Sequence, residues 1–162
     1  MLKLGKYTLG WKLVGVNARG QRVSLLVDEP DWVITYKKYR WTRSIPGTLI
    51  LCYGAFKAAL RHLVFEWLSN RSELWLCLMK KARPVFYLCQ YIDSGELKRF
   101  WFGQYTTNWP VMDVSRNNIV GAEEIFLLFR FGFIHYSLRH GILVEKISPI
   151  LKFFIKWSRS HV

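Results

Sequence analysis

Apolar positions recur along the chain with two different periods, and the changes of period divide it into elements. From Leu49 to Leu68 the spacing is helical: Phe56, Leu60, Leu63, Val64 and Trp67 fall at i, i+4, i+7, i+8 and i+11, with Lys57, Arg61 and Glu66 off that stripe. Asn70 and Ser72 close it. Leu74–Met79 (LWLCLM) is a continuous apolar run of strand length, the pattern of a strand covered on both faces, and Lys80 and Lys81 end it. A second helix is predicted from Ala82 to Ile92, with Pro84 tolerated in its first turn and a stop at Asp93–Gly95. Leu97–Phe102 reads as a short strand, Ile125–Phe131 as a second buried strand, Ile134–His140 as a short helix stopped by Gly141, and Ile142–Ile147 as a further strand. Nearer the N-terminus, Gln21–Val27 reads as a strand after the turn signal Asn17–Gly20. Helices alternating with apolar strands predict an α/β domain built on a parallel sheet flanked by helices. With no repeat or low-complexity segment, residues 1–162 read as one domain with an irregular N-terminal segment. The basic, apolar tail Pro149–Val162 is able to dock as a helix on this domain or on a neighbour.

Composition narrows the class of partner. The 162 residues are 51% hydrophobic, enough for one sizeable core, and carry 24 Lys and Arg against 11 acidic residues, a net charge of +13. Such a surplus repels itself unless a polyanion neutralises it, and nucleic acid and anionic membrane are the two candidates. Aromatic residues make up 17%, with eight Trp, which suits partner contact or stacking on bases. A spanning helix needs about 20 mostly apolar residues. The longest charge-free stretches, Ser44–Phe56 and Phe100–Met112, reach 13 residues each and contain Gly and Pro, so no span is expected. The N-terminal residues resemble neither a secretory signal nor an organelle import helix. Cys52, Cys77 and Cys89 are odd in number and form no C-x-x-C pair, so buried reduced thiols are expected rather than zinc or disulfides.

An α/β pattern invites an enzyme reading, but the catalytic templates are missing. No glycine-rich phosphate cradle follows a strand and no G-x-S-x-G elbow occurs. His135 and His140 are five apart, which does not give the i, i+4 face of a helical zinc site. Glu123 and Glu124, the one adjacent carboxylate pair, read as a solvated loop before a strand rather than an acid/base couple. The expectation is a non-enzyme with no cofactor, no metal and no catalytic residue.

Tyr36–Arg43 (YKKYRWTR) interleaves Lys37, Lys38, Arg40 and Arg43 with Tyr36, Tyr39 and Trp41, a mixture suited to phosphate contact plus stacking. The plainer alternative is a solvated loop. The most specific motif is Trp101–Trp109 (WFGQYTTNW). It resembles the R-W-x-G-G-x-x-T-N-W loop of the S-two family of small-subunit ribosomal proteins, departing at Gln104 and at the arginine, displaced to Arg99. Other segments follow in family order. Ala18 to Val27 is similar to the family's early G-A-R segment, Leu74–Ala82 to its I-L-F-V-G-T-K-R-A strand, Glu124–Leu128 to its P-D-x-[LI]-F-V-I strand, and Gly141–Val144 to its G-I-P-V strand, the last two without their proline. Only Pro110–Gly121 stands where bacterial members carry a long helical hairpin, a trimming that looks mitochondrial.

The resemblance implies a flavodoxin-like, three-layer fold lacking that hairpin. It also implies a structural constituent of the mitochondrial small ribosomal subunit in the matrix, contacting small-subunit rRNA and neighbouring ribosomal proteins, with no small-molecule substrate. Contact residues would be Arg19 and Arg22, the run Lys37, Lys38, Arg40 and Arg43, then Lys80, Lys81 and Arg83 after the first parallel strand, and Lys98 and Arg99 with Thr107 and Asn108. Two rivals stay open: an accessory subunit of a mitochondrial respiratory membrane complex, and a degenerate α/β enzyme.

Overall fold

The apolar run around Leu74–Met79 does become a doubly covered strand, but its neighbours run the other way. The computed structural model describes residues 2–24, 33–46, 49–65, 71–84, 119–139 and 142–160. Strands β1 (Lys3–Leu4), β2 (Tyr7–Val16), β3 (Arg22–Val23), β4 (Thr35–Tyr36), β5 (Trp41–Arg43) and β6 (Ile50–Tyr53) precede helix α1 (Phe56–Phe65). Strands β7 (Arg71–Lys80), β8 (Arg83–Pro84), β9 (Ile119–Ala122), β10 (Glu124–Arg139) and β11 (Ile142–Ile147) precede a second helix, α2 (Pro149–Ser160). All these strands join one sheet with the main order β11-β10-β7-β2-β6-β9-β8; β1 and β3 also pair with β2, β4 with β3, and β5 with β10. Every pairing between these strands is antiparallel.

The predicted parallel, flavodoxin-like three-layer sheet is therefore overturned. Its physical basis was sound as far as burial went, because β7 is covered on both faces. The covers are different ones. On one face Leu74 packs with Leu13, Ile134, the α1 residues Ala59, Leu60 and Leu63, and the α2 residues Leu151 and Ile155. On the other, Trp75, Cys77 and Met79 pack with Val14, Ile50, Cys52, Val120, Ile125 and Leu127, all from the sheet itself. Only Glu123 separates β9 from β10, and both line this second core. The sheet thus curls round onto itself, and its own concave face takes the place of a second helix layer.

Three further expectations change. Ile134–His140 is not a helix: β10 continues to Arg139 and pairs with β11 from Ile134↔Ile147 to Arg139↔Ile142. A hairpin partner supplies cross-strand contacts that outweigh a short helical pattern. The helix expected from Ala82 begins instead as β8, in which Arg83 and Pro84 pair with β9 at the end of the strand order, where a proline costs no ladder bond on its open side. Positions 85–92 of that helix, and the strand expected at Leu97–Phe102, lie outside the described residues. The apolar stretch from Leu49 opens as strand β6 before α1 begins, and of Gln21–Val27 only Arg22 and Val23 lie in a strand, with the Ser24 amide donating to Ile34 O beside it and 25–27 lying outside the described residues. The Asn17–Gly20 turn does form: Asn17 Oδ1 accepts from the amides of Arg19 and Gln21, and Gly20 takes a positive φ of 76°.

Cys52 and Cys77 are free thiols buried in the concave core. The Cys77 thiol donates to Cys52, and this bond together with burial pushes Cys77 well above its ordinary value. Cys89 lies outside the described residues.

Candidate nucleic-acid interface

The two helices cover only part of the outer sheet face. Trp11 packs on Phe56 and Phe131, with ring centroids 4.9 and 5.5 Å away, and Phe154 of α2 stacks beside both phenylalanines. Beyond Trp11 the face continues as cross-strand rows, because residues directly opposite in an antiparallel ladder share a face. One row runs Leu9, Leu78, Phe126, Trp41 across β2, β7, β10 and β5. The next runs Tyr7, Lys80, Glu124, Arg43. Phe129, opposite Leu76 and 55% exposed, lies on the same side. The result is a platform of rings and cations at the end of the sheet away from the helices.

Its geometry is close-knit. Trp41 lies 5.3 Å from Tyr7 and 5.5 Å from Phe126, centroid to centroid. Lys80 Nζ stands 4.0 Å over the Trp41 ring, and Lys6 Nζ 5.4 Å over Tyr7. Lys80 Nζ donates to Glu124 Oε2 at 3.3 Å, while Arg43 Nε donates to Glu124 Oε1 at 3.1 Å. Burial raises the Glu124 carboxyl, but the hydrogen bonds and charges of Lys80 and Arg43 together outweigh it and hold the group below its usual value. Lys81, in a left-handed turn at φ 50°, extends to Glu123 at 3.4 Å.

The basic-aromatic run leads onto this platform. Lys37, Lys38 and Arg40 are exposed, and Tyr39 adopts φ 57° with its amide donating to Leu127 O, so that the chain turns and β5 can pair with the start of β10. Of the residues expected to contact RNA, Arg43 and Lys80 are thus brought together, Lys81 follows Lys80 directly, and Lys37, Lys38 and Arg40 precede β5. Arg19 is exposed in the Asn17–Gly20 turn. Arg22 is engaged elsewhere. Its side chain is only 14% exposed, its Nε lies 2.6 Å from Glu73 Oε1, and its Nη2 donates to Oε2 at 3.2 Å. The same buried carboxylate accepts from Arg130 Nη1 at 3.1 Å and Trp75 Nε1 at 3.1 Å. Arg83 lies on β8, and Lys98, Arg99, Thr107 and Asn108 fall outside the described residues together with the whole Trp101–Trp109 loop.

Sequence reasoning missed Tyr7, Lys6, Phe126 and Phe129 as site residues. The signal for the first was there: Tyr7, Leu9, Trp11 and Leu13 alternate at period two along β2. Among the described residues no group of three or more His, Cys, Asp and Glu could hold a metal, and no helix is long and apolar enough to cross a membrane. No family model, curated protein or solved structure matches the chain.

Proposed function

We propose that this chain is a non-catalytic, RNA-binding structural protein of a ribonucleoprotein. The observation that carries the reading is the aromatic-basic platform, where Tyr7, Trp41 and Phe126 stand in contact beneath Lys80 and beside Arg43. Open sheet faces bearing rings and cations are well suited to single-stranded RNA, since bases stack on the rings while phosphates meet Lys and Arg. The net charge of +13 supports the same class of partner. A small ribosomal subunit, in a mitochondrion, is the assembly we favour. The support for that finer placement is the Trp101–Trp109 motif and the ordered segments around it, no longer the fold that the resemblance implied.

The test is sedimentation of detergent-treated organelle lysate through a density gradient. The chain should travel with the small subunit and move to the top of the gradient after RNase treatment or in high salt. A chain whose position is indifferent to RNase sinks the reading. Lys80→Ala combined with Arg43→Ala should weaken incorporation while leaving the fold intact by circular dichroism.

A further inference from the structure

Helix α2 shows three different stripes. Leu151 and Ile155 face the sheet and are buried. Lys152 and Lys156, one turn apart, are exposed on the far flank. Between that flank and the half-buried Phe154 runs an outward apolar stripe at i, i+3 and i+7: Ile150, Phe153 and Trp157, which are 55%, 63% and 45% exposed. The sequence PILKFFIKWSRS contains no carboxylate. The helix is also fixed in place. Ser148, just before it, donates its amide to Phe133 O at 3.1 Å and accepts the Phe133 amide on Oγ at 3.0 Å, so the start of α2 is clipped to β10.

An outward stripe of Ile, Phe and Trp beside a column of lysines has the chemistry of a helix lying in the boundary of a bilayer. We propose that α2 seats this chain on an anionic lipid surface, with Ile150, Phe153 and Trp157 entering the headgroup boundary and Lys152 and Lys156 meeting lipid phosphates. Charge decides against a second copy as the occupant. A two-fold contact through the stripe would bring two +13 chains together along faces that are each flanked by lysines, whereas anionic headgroups neutralise them. RNA is a poorer match for the stripe, whose first member, the exposed Ile150, offers no ring on which a base could stack. The α2 stripe is separate from the RNA platform, which lies on the uncovered part of the outer sheet face.

The purified, RNA-free chain should co-sediment with vesicles of mixed phosphatidylglycerol and phosphatidylcholine, and much less with phosphatidylcholine alone. Phe153→Ser should lower the affinity about tenfold, and Lys152→Ala and Lys156→Ala about fivefold each. Phe153 is mostly exposed, so its substitution should leave thermal unfolding and RNA affinity unchanged, which separates this face from the RNA platform. Failure of the wild-type chain to bind anionic vesicles overturns the proposal. So does binding that Phe153→Ser leaves intact, since attachment would then be charge acting elsewhere. A wild-type dimer that Phe153→Ser dissociates, without vesicle binding, would make the stripe an interface between copies and equally overturn it.

Discussion

Two carboxylates, Glu73 and Glu124, sit on facing strands and are used in opposite ways. Glu73 is buried, and its two oxygens neutralise Arg22 and Arg130 and take the Trp75 indole proton in a hydrogen bond, so three donors at the concave face share one acceptor group. A buried carboxylate is tolerated only with such partners. Glu124 is on the outer face and restrains two cations that would otherwise be available to phosphate, Lys80 and Arg43. Because its folded value is lowered, Glu124 contributes stability above the ordinary carboxylate range, and that contribution is lost as pH falls through the lowered value. Glu124→Gln should therefore flatten the acid limb of stability measured by urea unfolding across pH. It should also tighten single-stranded RNA binding by about fivefold at low salt, the worth of one nearby charge in a high-dielectric site. Unchanged affinity by fluorescence anisotropy would remove Lys80 and Arg43 from the contact set.

At the scale of elements, the close seating of α2 on β10 depends on a residue with no side chain. A Cβ on Gly132 would lie 2.8 Å from Leu151 Cβ and 2.6 Å from Ser148 Oγ, both too near the helix backbone to swing away. Gly132→Ala should destabilise the fold by about 2 kcal/mol through overpacking, read as a lower urea midpoint with an unchanged slope. An unshifted midpoint would show that α2 can lift from the sheet at no cost. Much of the element order was legible in the sequence. The Leu74–Met79 and Ile125–Phe131 runs are strands, Ile142–Ile147 is a strand, and Phe56, Leu60 and Leu63 face the core from a helix. Strand direction was not legible, because apolar burial on both faces says nothing about whether helices or a curled sheet do the covering. Ile134–Arg139 misled for a related reason: a short apolar run is compatible with either period until its hairpin partner is known. The platform was half legible. The run Lys37–Arg43 announced itself by composition, whereas Tyr7 and Phe126 reach it only through the register of β2, β7, β10 and β5.

For the whole molecule, the question is whether a charge of +13 acts diffusely or through one surface. The described cations do not all point the same way. Arg22 and Arg130 are engaged with Glu73, and Lys12 is buried, donating to Leu51 O at 2.7 Å over the Tyr36 ring. By contrast Lys6, Arg43 and Lys80 belong to the platform, Lys81 adjoins it, and Lys37, Lys38 and Arg40 lead into it. If about five of these seven meet phosphates, log affinity for single-stranded RNA should fall with log salt at a slope of about −3.5. Lys80→Ala and Arg43→Ala should each make that slope shallower by about 0.7. Trp41→Ala should cost about 1–3 kcal/mol at every salt concentration and leave the slope alone, because stacking releases no counterions. Lys152→Ala on α2 should change neither quantity. A slope that persists undiminished in Lys80→Ala and Arg43→Ala would mean that phosphates meet other cations and that the ring platform serves packing. Loss of slope in those variants together with a salt-independent loss in Trp41→Ala would tie both components of binding to one end of one sheet face.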